Sequence, residues 1–198
     1  MTFEARNQGA GLSLRFRIVA TALACTLLLV GVLFSAYARH ERQRNVDRLV
    51  DKARTITITA ESVREGMERK WSQGVFTPQM LREWGEAGEM GKVLESVPVV
   101  TAWRAAMAQA ERGNYTFKVP KHHPRNPSNE PDAIEAEALA KLSTGEVDEY
   151  HVIDTEMNAV RYFLPVRLAQ SCMICHGDPA TSLELWGNDE GLDLTGGR

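Results

Sequence analysis

Twenty consecutive residues, Ile18–Tyr37, carry no charged side chain. A helix of that length crosses the hydrocarbon core of a bilayer, so the sequence predicts a transmembrane helix at 18–37 after a short N-terminal segment, residues 1–17. A cleaved signal peptide is the alternative, because Ala36-Tyr37-Ala38 is an Ala-x-Ala cleavage site. The apolar run is long for a signal peptide, which favours an uncleaved anchor. In both cases the rest of the chain is expected outside the cytoplasm.

A second helix is predicted directly after the span, over residues 38–72. Its apolar residues recur at alternating spacings of three and four, which is the pattern of a coiled-coil seam. A helix with so narrow an apolar stripe needs a partner along it. That partner is either a second copy of the chain, giving a homodimer, or the domain that follows. The seam consists of Val46, Leu49, Ala53, Ile56, Ala60, Val63 and Met67.

The remaining residues, 73–198, are enough for one domain, and a hydrophobic content of 43% over the whole chain supports a packed core. The net charge is −3 and no basic stretch alternates with aromatic residues, so nucleic acid is not an expected partner. No acid–base pair, nucleophilic triad or glycine-rich phosphate loop stands out, and an enzyme is therefore not expected.

Helix signals recur three times in this domain. Thr77-Pro78 starts a helix that the following glycines end, and Pro98 starts another that stops at Gly113-Asn114. A third helix, over 130–142, is expected to be capped by Asn129. The glycines are Gly85, Gly88 and Gly91, and the apolar face of the second helix is Val100, Trp103, Met107 and Ala110.

Strand signals lie between and after these helices. A strand is predicted at Tyr115–Val119, and a hairpin at 148–154 and 159–168 around Thr155–Asn158. In the second hairpin strand, apolar residues alternate with Arg161 and Arg167, which predicts one buried and one solvated face. The predicted fold class is therefore α+β, with a small antiparallel sheet and flanking helices.

The sequence Cys172-Met-Ile-Cys175-His176 carries the chemistry. Two cysteines three apart, with a histidine directly after, form the attachment motif of c-type haem. Each thiol adds across one haem vinyl group, and His176 becomes the proximal iron ligand. The alternatives are a redox dithiol, which would ordinarily lie in a βαβ pattern that is absent here, and a zinc site, which needs further ligands. We expect one covalent haem c.

Several segments together resemble the periplasmic PAS-like sensor domains with one c-type haem that precede chemotaxis receptors and histidine kinases. The likeness covers nearly the whole chain, although family receptors continue into a second membrane span and a cytoplasmic output domain. The segments that carry it are Val97–Arg104, Pro124–Asp132, Tyr162–Arg167 and Cys172–Pro179, preceded by the membrane span and the long helix.

The resemblance implies a PAS-like sheet with the haem near its C-terminal end, and a role in signal transduction. It also implies a distal iron ligand from the membrane-proximal helix, for which Met67 is the candidate, or a water molecule in its place. His122 and His123 are the rivals, and Arg104 and Arg125 are candidate partners for the haem propionates.

The function that follows is a membrane-anchored haem sensor of redox state or of a diatomic gas. The alternative is a membrane-tethered monohaem cytochrome that only transfers electrons. Haem attachment to this motif ordinarily takes place on the periplasmic side, which predicts a single-pass inner-membrane protein with a periplasmic domain. The arginine bias points the other way, since more arginines follow the span than precede it. Those after it are Arg39, Arg42, Arg44 and Arg48; those before it are Arg6, Arg15 and Arg17.

Overall fold

The computed structural model describes residues 13–124 and 126–176, which divide into two compact units between Arg48 and Leu49. The described part is mostly helical, with one two-stranded antiparallel sheet. Its helices are α1 (Leu14–Ser72), α2 (Pro78–Glu86), α3 (Met90–Ser96), α4 (Pro98–Met107), α5 (Ala110–Gly113), α6 (Ala133–Ser143) and α7 (Met173–His176). The strands are β1 (Tyr150–Asp154) and β2 (Ala159–Phe163), and 3₁₀ turns cover Pro127–Asn129 and Gln170–Cys172.

Helix α1 includes both the predicted span and the predicted membrane-proximal helix. Its N-terminal part contains a window with a mean hydropathy of 2.5, and none of that window is buried. By length and composition this helix is able to cross a membrane, a criterion that an N-terminal signal sequence also meets.

From Leu49 onward, α1 buries one face against its own chain. Val50, Ala60 and Met67 are buried, whereas Leu49 is 49% exposed, so the predicted seam is displaced by about one position at its start. The centre of the face also contains Arg64, only 7% exposed, which an apolar pattern does not anticipate. Contacts of this part of α1 with later elements favour the chain's own domain as the packing partner, while a homodimer stays a prediction.

Helices α2 to α5 follow in close succession, and their predicted ends are largely confirmed. Thr77 caps α2, with its Oγ1 accepting from the Met80 amide at 3.3 Å, and Asn114 ends α5 in the left-handed region at φ 48°. Gly91 was expected to lie in a joint and instead lies inside α3, a helix that the sequence did not predict.

The buried face of α4 and α5 agrees with the prediction at Ala110 and differs from it elsewhere. Ala102, Ala106 and Ala110 are buried, whereas Trp103 is 39% exposed and its Nε1 donates to the Phe117 carbonyl at 3.0 Å. Small side chains spaced four apart allow neighbouring backbones to approach closely. A pattern that follows the largest apolar residues therefore selected the wrong side of this helix.

The predicted strand at 115–119 is not formed. This segment has no strand assignment and pairs with neither β1 nor β2. The cap of the following helix was also misplaced, because α6 begins after Asp132 rather than Asn129. Asp132 Oδ1 accepts from the Glu135 amide at 2.8 Å and Glu135 Oε2 accepts from the Asp132 amide at 2.9 Å, which is a complete capping box.

The predicted hairpin is confirmed, with shorter strands. Strands β1 and β2 pair so that His151 faces Tyr162 and Asp154 faces Ala159. Buried Asp154 closes the turn, because its Oδ1 accepts from the amides of Glu156 and Met157 at 3.1 and 3.0 Å. Beyond Phe163 the chain is irregular up to Gln170, so the strand does not extend to 168.

Candidate functional site

The Cys-x-x-Cys-His motif lies on two consecutive helical turns. Cys172 is the last residue of the 3₁₀ turn, its amide donating to the Ala169 carbonyl at 3.0 Å, and α7 contains Cys175 and His176. Cys172 and His176 are half-buried. Residues three and four apart lie on the same face of a helical segment, so this backbone conformation groups the three motif positions on one side.

These residues fit a covalently held haem. Two thiols are present at the spacing that joins two vinyl groups, with an imidazole next to them that can bind iron. The segment Cys172–Pro179 is one of those that carry the family resemblance, and its last residues, Gly177–Pro179, lie outside the described residues. Among the side chains that the structure describes, which do not include that of Cys175, no three from His, Cys, Asp or Glu are arranged to hold a metal ion.

Met67, the candidate distal ligand, is buried in the second unit at 7% exposure. Its Sδ accepts from Lys70 Nζ at 3.7 Å, and the next turn of α1 is fixed by Trp71, whose Nε1 donates to the Ser96 carbonyl at 2.8 Å. Burial is compatible with an iron ligand and equally with a core methionine. Ligation by Met67 stays a prediction.

The histidines of the proline-rich loop are placed differently. His122 and His123 are both exposed, and His123 has a positive φ of 54°. His151 on β1 and His40 on α1 are exposed as well. Among the histidines of residues 13–124 and 126–176, only His176 is half-buried.

The two candidate propionate partners are not brought to the motif by any described contact. Arg104, in the last turn of α4, forms an ion pair with Glu95 of α3, so its guanidinium already has a carboxylate partner. Arg125 lies outside the described residues. Neither assignment gains support from the structure.

Sequence reasoning missed a contact that joins α1 to the hairpin. Glu149 accepts from Arg54 Nε at 2.9 Å and Nη2 at 2.5 Å, and also from the Tyr162 hydroxyl at 2.5 Å. We name this group the Arg54–Glu149–Tyr162 junction. It connects residues 95 positions apart along the chain, and Tyr162 belongs to the strand that precedes the cysteine motif.

The junction shifts the protonation equilibria of its members. The bidentate hydrogen bond from Arg54 is the largest cause that lowers the pKa of Glu149 to about 2, and the Tyr162 hydroxyl adds to it. Burial, followed by the hydrogen bond to Glu149, raises the pKa of Tyr162 to about 12. At neutral pH the carboxylate is ionised and the phenol is neutral, which is the state that this hydrogen-bond pattern requires.

A second group of charges connects β2 to the start of α6, and the sequence placed its central residue wrongly on a solvated face. Arg161 pairs with Asp132 at 2.7 Å, Glu135 at 3.0 Å and Asp154 at 3.4 Å. Its side chain is only 15% exposed. Lys118 also pairs with Glu135, at 2.7 Å. A buried arginine with three carboxylates is typical of a structural network.

A further buried charge lies one turn before Met67. The Arg64 guanidinium donates to Glu61 at 2.7 and 2.8 Å and to Glu68 at 3.1 Å, so both of its partners come from α1 itself. The hydrogen bond to Glu61 is the largest cause that raises the pKa of Arg64. Only an explicit search for i, i+3 and i, i+4 charge partners within the seam would have found it.

Comparison with known proteins gives one match. No curated protein and no solved structure matches the chain. The model of the Tll0287-like family matches residues 42–197, which is more than three quarters of the chain and includes the cysteine motif, the hairpin and most of the membrane-proximal helix. The chain therefore belongs to the Tll0287-like family.

Proposed function

We propose that this chain is a membrane-anchored haem c sensor, with one haem attached through Cys172 and Cys175 and with His176 as the proximal ligand. The observation that carries the proposal is the Cys-x-x-Cys-His motif on consecutive helical turns. Membership of the Tll0287-like family over residues 42–197 supports it.

In this proposal each cysteine has a defined task. Each S–H adds across a vinyl double bond, so that sulfur bonds one carbon and the hydrogen goes to the other, with no net oxidation. The His176 imidazole is held next to Cys175 by α7. Bound haem supplies an iron centre that changes redox state or takes a diatomic ligand.

The rest of the proposed site follows from the family resemblance. In a PAS-like arrangement the site would lie near the C-terminal end of the sheet, and Met67 from α1 would hold the iron through its thioether. A soft thioether favours ferrous iron and raises the reduction potential relative to water or histidine. The domain is placed in the periplasm, where the cysteine motif is ordinarily modified.

Transmission of the signal is proposed to use α1. The Arg54–Glu149–Tyr162 junction supports this, since it joins α1 to the strand that precedes the motif. A change at the site alters the packing of α1 only if the two states of the site favour different packings. Were Met67 to hold the iron, its exchange on oxidation or for a competing gas would free this part of the helix.

The attachment is tested with cysteine variants of the full chain matured by the c-type haem machinery. Cys172→Ala with Cys175→Ala is expected to abolish haem staining on a denaturing gel. Cys25→Ala is the matched control, since this third cysteine lies exposed on the apolar part of α1, and it is expected to stain like the wild type. A correctly matured wild-type chain without covalent haem would refute the proposal.

Carbon monoxide distinguishes a sensor from an electron carrier. A sensor with a displaceable distal ligand changes its ferrous absorption spectrum when carbon monoxide is added. A ferrous absorption spectrum that does not change when carbon monoxide is added would favour the membrane-tethered cytochrome instead, because the gas then displaces no iron ligand.

A further inference from the structure

A second candidate site lies in a groove between α1 and α5, whose lining includes none of the cysteine-motif residues. The groove has a volume of about 570 Å³ and is lined by Lys52 and Ile56 of α1 and by Arg112 and Tyr115 at the other wall. We propose that this groove binds a small organic carboxylate with an apolar body. The proposal does not depend on haem attachment.

The charge of the groove is the first argument. Lys52 Nζ donates to the Gly113 carbonyl, and Arg112 Nη1 donates to Gln109 Oε1 at 3.4 Å. Among the described residues neither cation has a carboxylate partner, and no described side chain that lines the groove is acidic. Arg54, which lies two residues after Lys52 on α1, is by contrast paired with both Asp51 and Glu149.

The unused donors are the second argument. An ammonium has three N–H donors and a guanidinium has five, and the described contacts occupy one on each side chain. Lys52 and Arg112 reach the groove from different helices, and each has N–H groups that make no described contact. Two such cations are complementary to a carboxylate. Charge-assisted hydrogen bonds of this kind are stronger than those between neutral groups.

The apolar wall is the third argument, because it is held in place before any ligand arrives. The Tyr115 hydroxyl donates to the Ala106 carbonyl at 2.5 Å, which fixes the ring. The ring packs directly on Gly113, where a Cβ atom would lie 2.6 Å from Tyr115 Cδ1. Glycine at this position therefore permits the close approach, and the ring and Ile56 provide a surface for an apolar ligand body.

The groove is open to solvent, and its volume of about 570 Å³ is sufficient for one small molecule. Ligand pockets of proteins commonly have volumes of about 300–1,000 Å³, with an apolar lining and a few polar groups that fix the orientation. A ligand whose carboxylate binds Lys52 and Arg112, and whose apolar body packs against Tyr115, uses both the cationic and the apolar part of this groove. An isosteric amide has no charge for the two cations and is expected to bind more weakly.

The experiment uses 4-fluorobenzoate as the probe, titrated into the full haem-loaded chain in detergent micelles and followed by fluorine NMR line broadening. We expect 4-fluorobenzoate to bind at least about tenfold more tightly than 4-fluorobenzamide. Lys52→Gln and Arg112→Gln are each expected to weaken 4-fluorobenzoate about tenfold. Lys92→Gln is the matched control, because this exposed lysine pairs with Glu89 on its own helix, and it is expected to leave binding unchanged.

The haem absorption spectrum, recorded during the same titration, separates binding in the groove from ligation of iron. Saturable binding with an unchanged spectrum supports the groove. The proposal is overturned if the amide binds as tightly as the benzoate, or if Lys52→Gln and Arg112→Gln leave the affinity unchanged. It is also overturned if no saturable broadening occurs up to roughly 10 mM benzoate.

Discussion

Replacement of Arg161 by methionine tests how far the second unit depends on buried charge. The Arg161 guanidinium is the common partner of three carboxylates, and two of them, Glu135 and Asp154, are about 5% and 6% exposed. Methionine keeps much of the aliphatic stem and so retains packing. The substitution therefore removes the charge and its donors while it changes the volume little.

The size of the effect follows from the donors that remain. Removal of one partner from a buried ion pair commonly costs about 3–5 kcal/mol, because the other charge is left uncompensated. Glu135 keeps Lys118 at 2.7 Å, and Asp154 keeps two backbone amides. These remaining donors place the expected loss at the lower end, about 3 kcal/mol in the free energy of unfolding.

Urea unfolding of the full chain in detergent micelles, followed by tryptophan fluorescence, measures this loss. All four tryptophans come after residue 70, so the signal reports on the second unit. Arg167→Met is the matched control: Arg167 is exposed, and no ion pair involving it occurs among the described residues, so its effect should stay within about 0.5 kcal/mol. A loss below about 1 kcal/mol for Arg161→Met would refute the reasoning.

Three further predictions concern the site, the junction and the groove. Met67→Ala should lower the reduction potential and leave ferrous haem open to carbon monoxide with no methionine to displace, so that the variant binds the gas more tightly than the wild type, whereas His122→Ala and His123→Ala should change neither property; a loop variant that alters the spectrum while Met67→Ala does not would move the distal ligand to the loop. Glu149→Gln should destabilise the chain near neutral pH. Because folding lowers the Glu149 pKa from 4.5 to about 2, the difference from wild type should shrink as pH falls through that window, and a constant difference in melting temperature would contradict it. Gly113→Ala should cost about 1–3 kcal/mol in urea unfolding, because the new methyl group meets a tyrosine ring held by its hydroxyl; an unchanged midpoint would contradict this.

Features governed by neighbouring residues were predictable from the sequence. The Thr77 cap, the Asn114 stop and the hairpin each depend on a few consecutive residues. The position of the cysteine motif on one side of the helical turns is also a local feature, because it depends only on the backbone conformation of the seven residues 170–176. Local chemistry therefore accounts for most of the helices and for the core of the candidate site.

Features governed by distant partners were not predictable. The pattern at 115–119 suits a strand, yet a strand forms only where another edge is available to pair with it. Arg161 alternates as a solvated residue should, but Asp132 and Asp154 approach it from elsewhere in the chain. The proposed distal iron ligand is a problem of the same type, because Met67 is distant in sequence from the cysteine motif. The roles of Met67 and of His176 both stay predictions, although that of His176 requires only the adjacent motif residues.

The separation of Arg54 from Glu149 has a consequence for synthesis of the chain. Glu149 lies 95 positions after Arg54, so at a typical translation rate of about 5–20 residues per second it is added roughly 5–20 seconds later. During that interval Arg54 on α1 lacks its contact with Glu149. Arg64 needs no such wait, because both of its carboxylate partners lie within four residues on the same helix. Until its partners are synthesised, α1 with a paired charge in the middle of its buried face is therefore less prone to associate with other nascent chains than a helix with an entirely apolar face.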